Sequence, residues 1–137
     1  MDTHVLLWFL TDSPDLPSPV KRYIENTRNV YVSDATFWEI GIKGKNAKSG
    51  KAIRWGDLPL DSAGAISELV EACKAQGIQP RAMTTEVCCL APFLDGAHKD
   101  PFDRMIAAQS LVPERLTLVS ADEAFDQLSP DIQRYWR

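Results

Sequence analysis

Five acids set the chemistry open to this sequence: Asp2, Glu39, Asp100, Asp103 and Asp122. Carboxylates that converge from separate elements can hold Mg2+ or Mn2+, which activates water and neutralises charge on a phosphate. A phosphodiesterase built this way needs no catalytic His or Cys. His4 and His98 lack the partners of a nucleophilic triad, and His98 reads as a loop side chain.

Each acid also has a purely structural reading. Asp100 can cap a helix whose first position is Pro101, and Asp103 then sits in the first turn, where the helix dipole favours an anion. Asp103 shares a helical face with Ala107 and Ser110, small residues that let neighbouring elements approach. Ser120 and Glu123 form a Ser-x-x-Glu capping box that does not need Asp122, leaving Asp122 free to face a sheet edge. Glu39 lies among Phe37, Trp38, Ile40 and Ile42, so it either needs a buried partner or is rotated to water. Asp2 could be the N-cap of an opening helix. Ser33 and Thr36 could orient a carboxylate or a water near Glu39.

The elements that must position these acids alternate. Thr3–Leu10 reads as a helix, broken by Pro14, Pro17 and Pro19, with a second helix over residues 19–26. A short strand at residues 30–32 runs through Ser33, a candidate N-cap, into a helix over residues 35–42. Apolar spacing marks a helix over 61–76 ended by Gly77, followed by a strand at 78–81. A helix capped by Thr84 or Thr85 runs to Leu90, another runs from Pro101 to about residue 111, and a buried strand at 116–119 leads to a helix over 120–127. The pattern predicts an α/β sandwich around a mostly parallel sheet, in which sites gather beyond the carboxyl ends of strands.

With 137 residues, 45% hydrophobic and 25% charged, the chain can bury one core and is expected to form a single domain over 1–137. Cys73, Cys88 and Cys89 have no CxxC spacing, which argues against a zinc site or disulfide framework and for reduced, mostly buried thiols. No apolar run is long enough to span a bilayer, and a soluble, cytoplasmic protein is expected. The net charge of −4 argues weakly against a nucleic-acid partner. Its distribution does not: between residues 40 and 56 there is no acid, while Lys43, Lys45, Lys48, Lys51 and Arg54 supply five positive charges. That strip reads either as a solvated loop or as an RNA-binding surface beside the acids. Trp8, Phe9, Trp38 and Trp55 read as core or partner contacts rather than a base-stacking platform.

Four segments, in order, carry a resemblance: Asp2-Thr3-His4-Val5-Leu6-Leu7-Trp8; Ser33 through Lys43 with Trp38-Glu39-Ile40; His98-Lys99-Asp100-Pro101-Phe102-Asp103-Arg104 through Gln109; and Leu118-Val119-Ser120-Ala121-Asp122. The chain resembles PIN-domain toxins of the VapC type. The resemblance implies a PIN-like α/β/α fold and a Mg2+- or Mn2+-dependent endoribonuclease acting as the toxin of a toxin–antitoxin pair. It implies a catalytic and metal-binding quartet of Asp2, Glu39, Asp103 and Asp122, with Asp100 accessory and Thr36 arranging the site. It also implies a homodimer and a cognate antitoxin. One departure is that Asp2 directly follows Met1, so the first strand of the sheet is expected to be missing or truncated and Asp2 to sit on an unanchored terminus. Residues 133–137 are short for a final strand. The rival readings are an impaired module that binds an antitoxin or RNA without cleavage, and a structure-specific DNA nuclease.

Overall fold

The computed structural model describes residues 1–47 and 53–137. Lys48 and Lys51 of the basic strip lie outside the described residues. The chain runs α1 (Thr3–Leu10), α2 (Ser18–Asn26), β1 (Val30–Ser33), α3 (Asp34–Asn46), β2 (Arg54–Trp55), β3 (Leu58–Pro59), α4 (Ala63–Ala75), β4 (Ile78–Arg81), α5 (Thr85–Leu90), α6 (Pro101–Gln109), β5 (Thr117–Val119) and β6 (Gln133–Tyr135). Two 3₁₀ turns, Ala91–Phe93 and Glu123–Gln127, complete the order. No helix among the described residues is long and apolar enough to cross a membrane.

The α/β class with short parallel strands is as expected. β1 pairs with β4 in parallel and β5 with β6 in parallel, while β2 and β3 form a small antiparallel hairpin. Each parallel pair is a separate two-stranded sheet, and among the described residues no strand precedes α1. Met1 and Asp2 lie between the pairs: the Met1 amino group donates to Tyr31 O at 3.1 Å, and Asp2 N donates to Val119 O at 3.1 Å. The expectation of an unanchored Asp2 is therefore corrected. Its residue is buried, and its backbone completes a rung between β1 and β5.

Helices cover both sides of this arrangement because each presents one apolar stripe. Leu6, Ile40, Leu69 and Cys73 pack with Val32 and Ile78 on one side, while Val87, Ile106, Leu118 and Phe125 form a second cluster. Val5, Val20, Ile24 and Val119 make a third, which holds α1 and α2 against β5. The C-terminal residues, short as they are, do form β6. Tyr135 stacks on Tyr23 at 4.0 Å and Trp136 meets Trp8 at 6.0 Å, so aromatic contacts anchor a strand of only three residues.

Three local expectations change. The region after β5 is not a helix over 120–127 with a Ser120/Glu123 capping box; it is a 3₁₀ turn beginning at Glu123 and capped by Asp122, whose carboxylate accepts from Ala124 N at 2.9 Å. The Ser120 Oγ accepts from Asp122 N at 3.0 Å, and its proton goes to the Asp2 carboxylate. α3 continues past residue 42 to Asn46. Of the thiols, only Cys73 is buried, where desolvation pushes it up to about 11; Cys88 and Cys89 are exposed.

Candidate metal centre

The start of α1 places the first acid. Asp2 caps the helix by accepting from Val5 N at 2.9 Å, and its other carboxylate oxygen contacts Ser120 Oγ. This places the end of β5 against the start of α1. Both Asp2 and Ser120 are buried.

α3 places the second. Glu39 is 4% exposed, so helical rotation does not carry it to water. One carboxylate oxygen receives Thr3 Oγ1 at 2.6 Å and the other receives Lys43 Nζ at 2.8 Å. Thr36 Oγ1 stands 3.2 Å from Thr3 Oγ1. A carboxylate only accepts, so the single Thr3 proton goes to Glu39 and Thr36 supplies the proton of the second bond. Thr36 thus supports Glu39 through Thr3. Ser33 acts further back: it caps α3 through Ala35 N at 3.0 Å and does not line the acidic cleft.

α6 places the rest, and its sequence reads position by position. Asp100 caps it, accepting from Phe102 N at 2.9 Å, with Pro101 in the first turn. Phe102 meets the half-exposed Trp38 edge-on at 5.2 Å. Asp103 faces the cleft and contacts His98 Nε2 at 2.7 Å. Arg104 turns back and donates to the carbonyls of His98 at 2.7 Å, Leu94 at 2.9 Å and Gly96 at 3.0 Å, with longer bonds to Ala91 and Asp95. It gathers the loop that carries His98. At the far end Gln109 Nε2 ties α6 to the carbonyls of Arg81, the last residue of β4, and Ala82, at 3.1 and 3.0 Å.

These elements meet around a cleft of about 80 Å³ lined by Asp2, Thr3, His4, Glu39, Lys43, Asp100, Asp103, Asp122 and Phe125. All five acids reach it. The tightest set of donor atoms is different from the expected quartet: His98, Asp103 and Asp122 each offer one atom, and these lie within 4.8 Å of one another. His98 was missed because its reach depends on a fold-back that spacing does not encode; its sole sequence clue is proximity to a capped, acid-bearing helix. Thr3 was missed as well, although it directly follows Asp2 on the same capped turn.

The capping and cleft-lining readings of the acids are not alternatives here. Asp2, Asp100 and Asp122 cap three separate elements, so three backbone N-termini converge on one cleft. Their N–H groups and dipoles favour negative charge, which is how the fold tolerates several acids together. Lys43 adds a cation. Its bond to Glu39, chiefly, raises its pKa, and Asp100 and Asp103 add to the effect. Burial pushes the Asp103 carboxyl above the usual carboxylate range, against the opposing His98 hydrogen bond, with Asp100 and Glu39 contributing.

Of the expected RNA-binding strip, Lys43 lines the cleft and pairs with Glu39, one turn before it on α3. Lys45 is exposed at the end of α3 and Arg54 is exposed in the β2–β3 hairpin, where it donates to Asp57 O.

The donor set suits a hard divalent cation. Each carboxylate that accepts a protein hydrogen bond keeps lone pairs, and oxygen-rich sites with at most one imidazole favour hard divalent cations over softer metals. The PIN domain family model matches residues 1–129, and the chain belongs to that family. PIN domains are typically metal-dependent nucleases. No curated protein matches the chain.

The Arg104 clamp supplies a direct check on how the cleft is held. Arg104→Lys keeps the charge but loses the planar fork that serves several carbonyls at once. Hydrogen exchange across residues 94–98 is expected to accelerate, and any metal-dependent cleavage to fall by about 10–100-fold, the range for residues that orient a ligand. Unchanged exchange in that loop would show that Arg104 does not hold it.

Proposed function

We propose that the protein is a metal-dependent endoribonuclease, with Asp2, Glu39, Asp103 and Asp122 as its acidic residues and Asp100 as an accessory. The observation that supports this most is the convergence of three capped N-termini, five acids and one lysine on a single cleft. When bound, Mg2+ or Mn2+ would supply a nucleophilic water at neutral pH and offset charge on the phosphate. His98 joins Asp103 and Asp122 as a third candidate ligand.

The residues of the chain have separable tasks. Thr3 and Thr36 fix the Glu39 carboxylate. Ser120 fixes Asp2, which makes the buried start of the chain part of the site rather than a loose end. Lys43 balances charge while the acids are without a cation, and its exposed side lets it meet a phosphate. Trp38, 52% exposed beside Glu39 and Phe102, is open to contact with a partner at the rim of the site.

RNA as the substrate, the toxin role, a cognate antitoxin and a homodimer rest on the resemblance of the Asp100-Pro101-Phe102-Asp103-Arg104 segment and its partners in sequence. A cytoplasmic location follows from the same reading. Single-stranded RNA and flap DNA, each incubated with the protein and Mn2+ and then with EDTA, test the proposal. RNA cleavage that stops with EDTA is expected. Preferential cutting of the flap would make the protein a DNA nuclease, and absence of cutting on either substrate would leave a binding module.

A further inference from the structure

Arg134 stands on β6, outside the acidic cleft, and commits its whole guanidinium to the segment that follows β5. Nε and one terminal nitrogen each donate to a different oxygen of Asp126 at 2.9 Å, and the other terminal nitrogen donates to Ser120 O at 3.1 Å. The planar fork meets the carboxylate at two points and keeps a third donor for the carbonyl. Only 16% of its side chain is exposed. Alternation along the strand aims it there: the next residue, Tyr135, turns to the other face and stacks on Tyr23. One residue of β6 holds α2, and its neighbour holds the turn after β5.

The segment that Arg134 holds carries one acid of the cleft and orients another. Ser120 follows β5, Asp122 caps the 3₁₀ turn Glu123–Gln127, and Asp126 lies within that turn. Arg134 therefore grips both ends of the stretch, with Asp122 between them. Ser120 N also donates to Tyr135 O at 3.3 Å, which fastens the same stretch to β6 a second time. Ser120 passes the placement on, since its Oγ accepts from Asp122 N at 3.0 Å and gives its proton to the Asp2 carboxylate. Asp2 and Asp122 line the cleft from different elements, yet both depend on a segment anchored by one cation.

Taking the cleft as the metal centre proposed for it, we propose that Arg134 is a positioning residue of that centre, setting the orientation of Asp2 and Asp122 through Ser120 and Asp126 without itself touching the ion. The sign of its effect separates this role from two others. Arg134 is a cation whose pKa is raised, chiefly by the Asp126 bond, with the charges of Glu123 and Asp122 adding to the effect. By charge alone it repels a divalent ion, so its removal would tighten metal binding. A brace that only stabilises the fold would lower the melting temperature and leave the affinity of the folded protein unchanged. Loss of a positioning residue weakens binding instead, by about 10–100-fold, the range for groups that orient a ligand.

Mn2+ titrated into the full chain and into Arg134→Gln and Arg134→Lys tests this, with free Mn2+ read by electron paramagnetic resonance well below the melting temperature of each protein. Arg134→Gln is expected to bind Mn2+ about 10–100-fold more weakly than the wild type. Arg134→Lys keeps the charge but not the fork, and is expected to weaken binding as well. In the metal-free proteins, hydrogen exchange over residues 120–124 is expected to quicken in both variants. Unchanged or tighter binding by Arg134→Gln overturns the proposal, and so does exchange that stays as slow as in the wild type. An Arg134→Lys variant that binds like the wild type overturns it too, because charge alone would then suffice; this arm also carries the test if the glutamine variant does not fold. A wild-type chain that binds no Mn2+ overturns the metal centre itself, and the role of Arg134 with it.

Discussion

Asp103→Asn is expected to abolish divalent-ion-dependent cleavage while raising the melting temperature at neutral pH. The activity loss should exceed about 100-fold, the upper end for residues that merely orient a ligand, since Asp103 belongs to the tightest donor set. The stability gain follows from the direction of its pKa. Burial holds the Asp103 carboxyl above its ordinary 3.8 in the folded protein, so the folded state binds this proton more tightly than the unfolded chain does. That contribution to stability is full below the unfolded value and is lost as pH rises through the folded value. At pH 7 the ionised side chain is therefore a liability that Asn removes, and in acid, below about pH 3.8, the two proteins should converge. Mn2+ should reverse the order. At a concentration 100 times its dissociation constant, an ion that binds only the folded state adds about 2.7 kcal/mol, and the variant should not receive it. Thermal melts at pH 7 and pH 4, with and without Mn2+, read all of this. Equal cleavage by the two proteins would remove Asp103 from the site.

Gly44→Ala is expected to lower stability sharply, although Ala normally favours a helix. In an exposed helix interior the exchange gains about 1 kcal/mol. At Gly44 a Cβ would fall 1.8 Å from Leu60 O and 2.8 Å from Leu60 C. The obstacle is backbone and Leu60 is fully buried, so no flexible side chain can yield. α3 would have to move off the hairpin. Overpacking of this kind costs about 1–3 kcal/mol and occasionally more, and backbone contact on both sides puts this case at the upper end. Since a 1 kcal/mol loss shifts the midpoint by about 2–8 °C across the domain sizes that bracket this one, a fall of about 10 °C is expected. Gly64→Ala is the control: it sits in α4 with nothing within 4 Å and should be neutral or slightly stabilising. The consequence reaches the cleft because Glu39 and Lys43 ride on the same helix. A melt in which both variants behave alike would show that α3 does not pack against Leu60 as described.

The sequence by itself determined the parts that local physics governs. Helices α1, α4 and α6 follow from apolar spacing, with Asp2 and Asp100 as caps of the first and last, and β1, β4 and β5 from short apolar runs. Asp2 and Asp100 were legible as caps, whereas Glu39 stands inside α3 and Asp122 takes a capping role that the sequence reading gave to Ser120. Tertiary structure decided what each does. Whether Glu39 faces water or the interior depends on what packs against α3, and the answer came from Thr3, 36 residues away. Ser120 fits a capping box on paper, yet its hydroxyl goes to Asp2, 118 residues distant, because α1 begins beside the end of β5. His98 reaches Asp103 and Asp122 since Arg104 gathers the preceding loop, and Lys43 pairs with Glu39 because that acid lies one helical turn before it. Caps, turns and periodicity act over a few residues and can be read in order along the chain. The partner that satisfies a buried charge is chosen by packing between distant segments, and no spacing in the sequence records that choice.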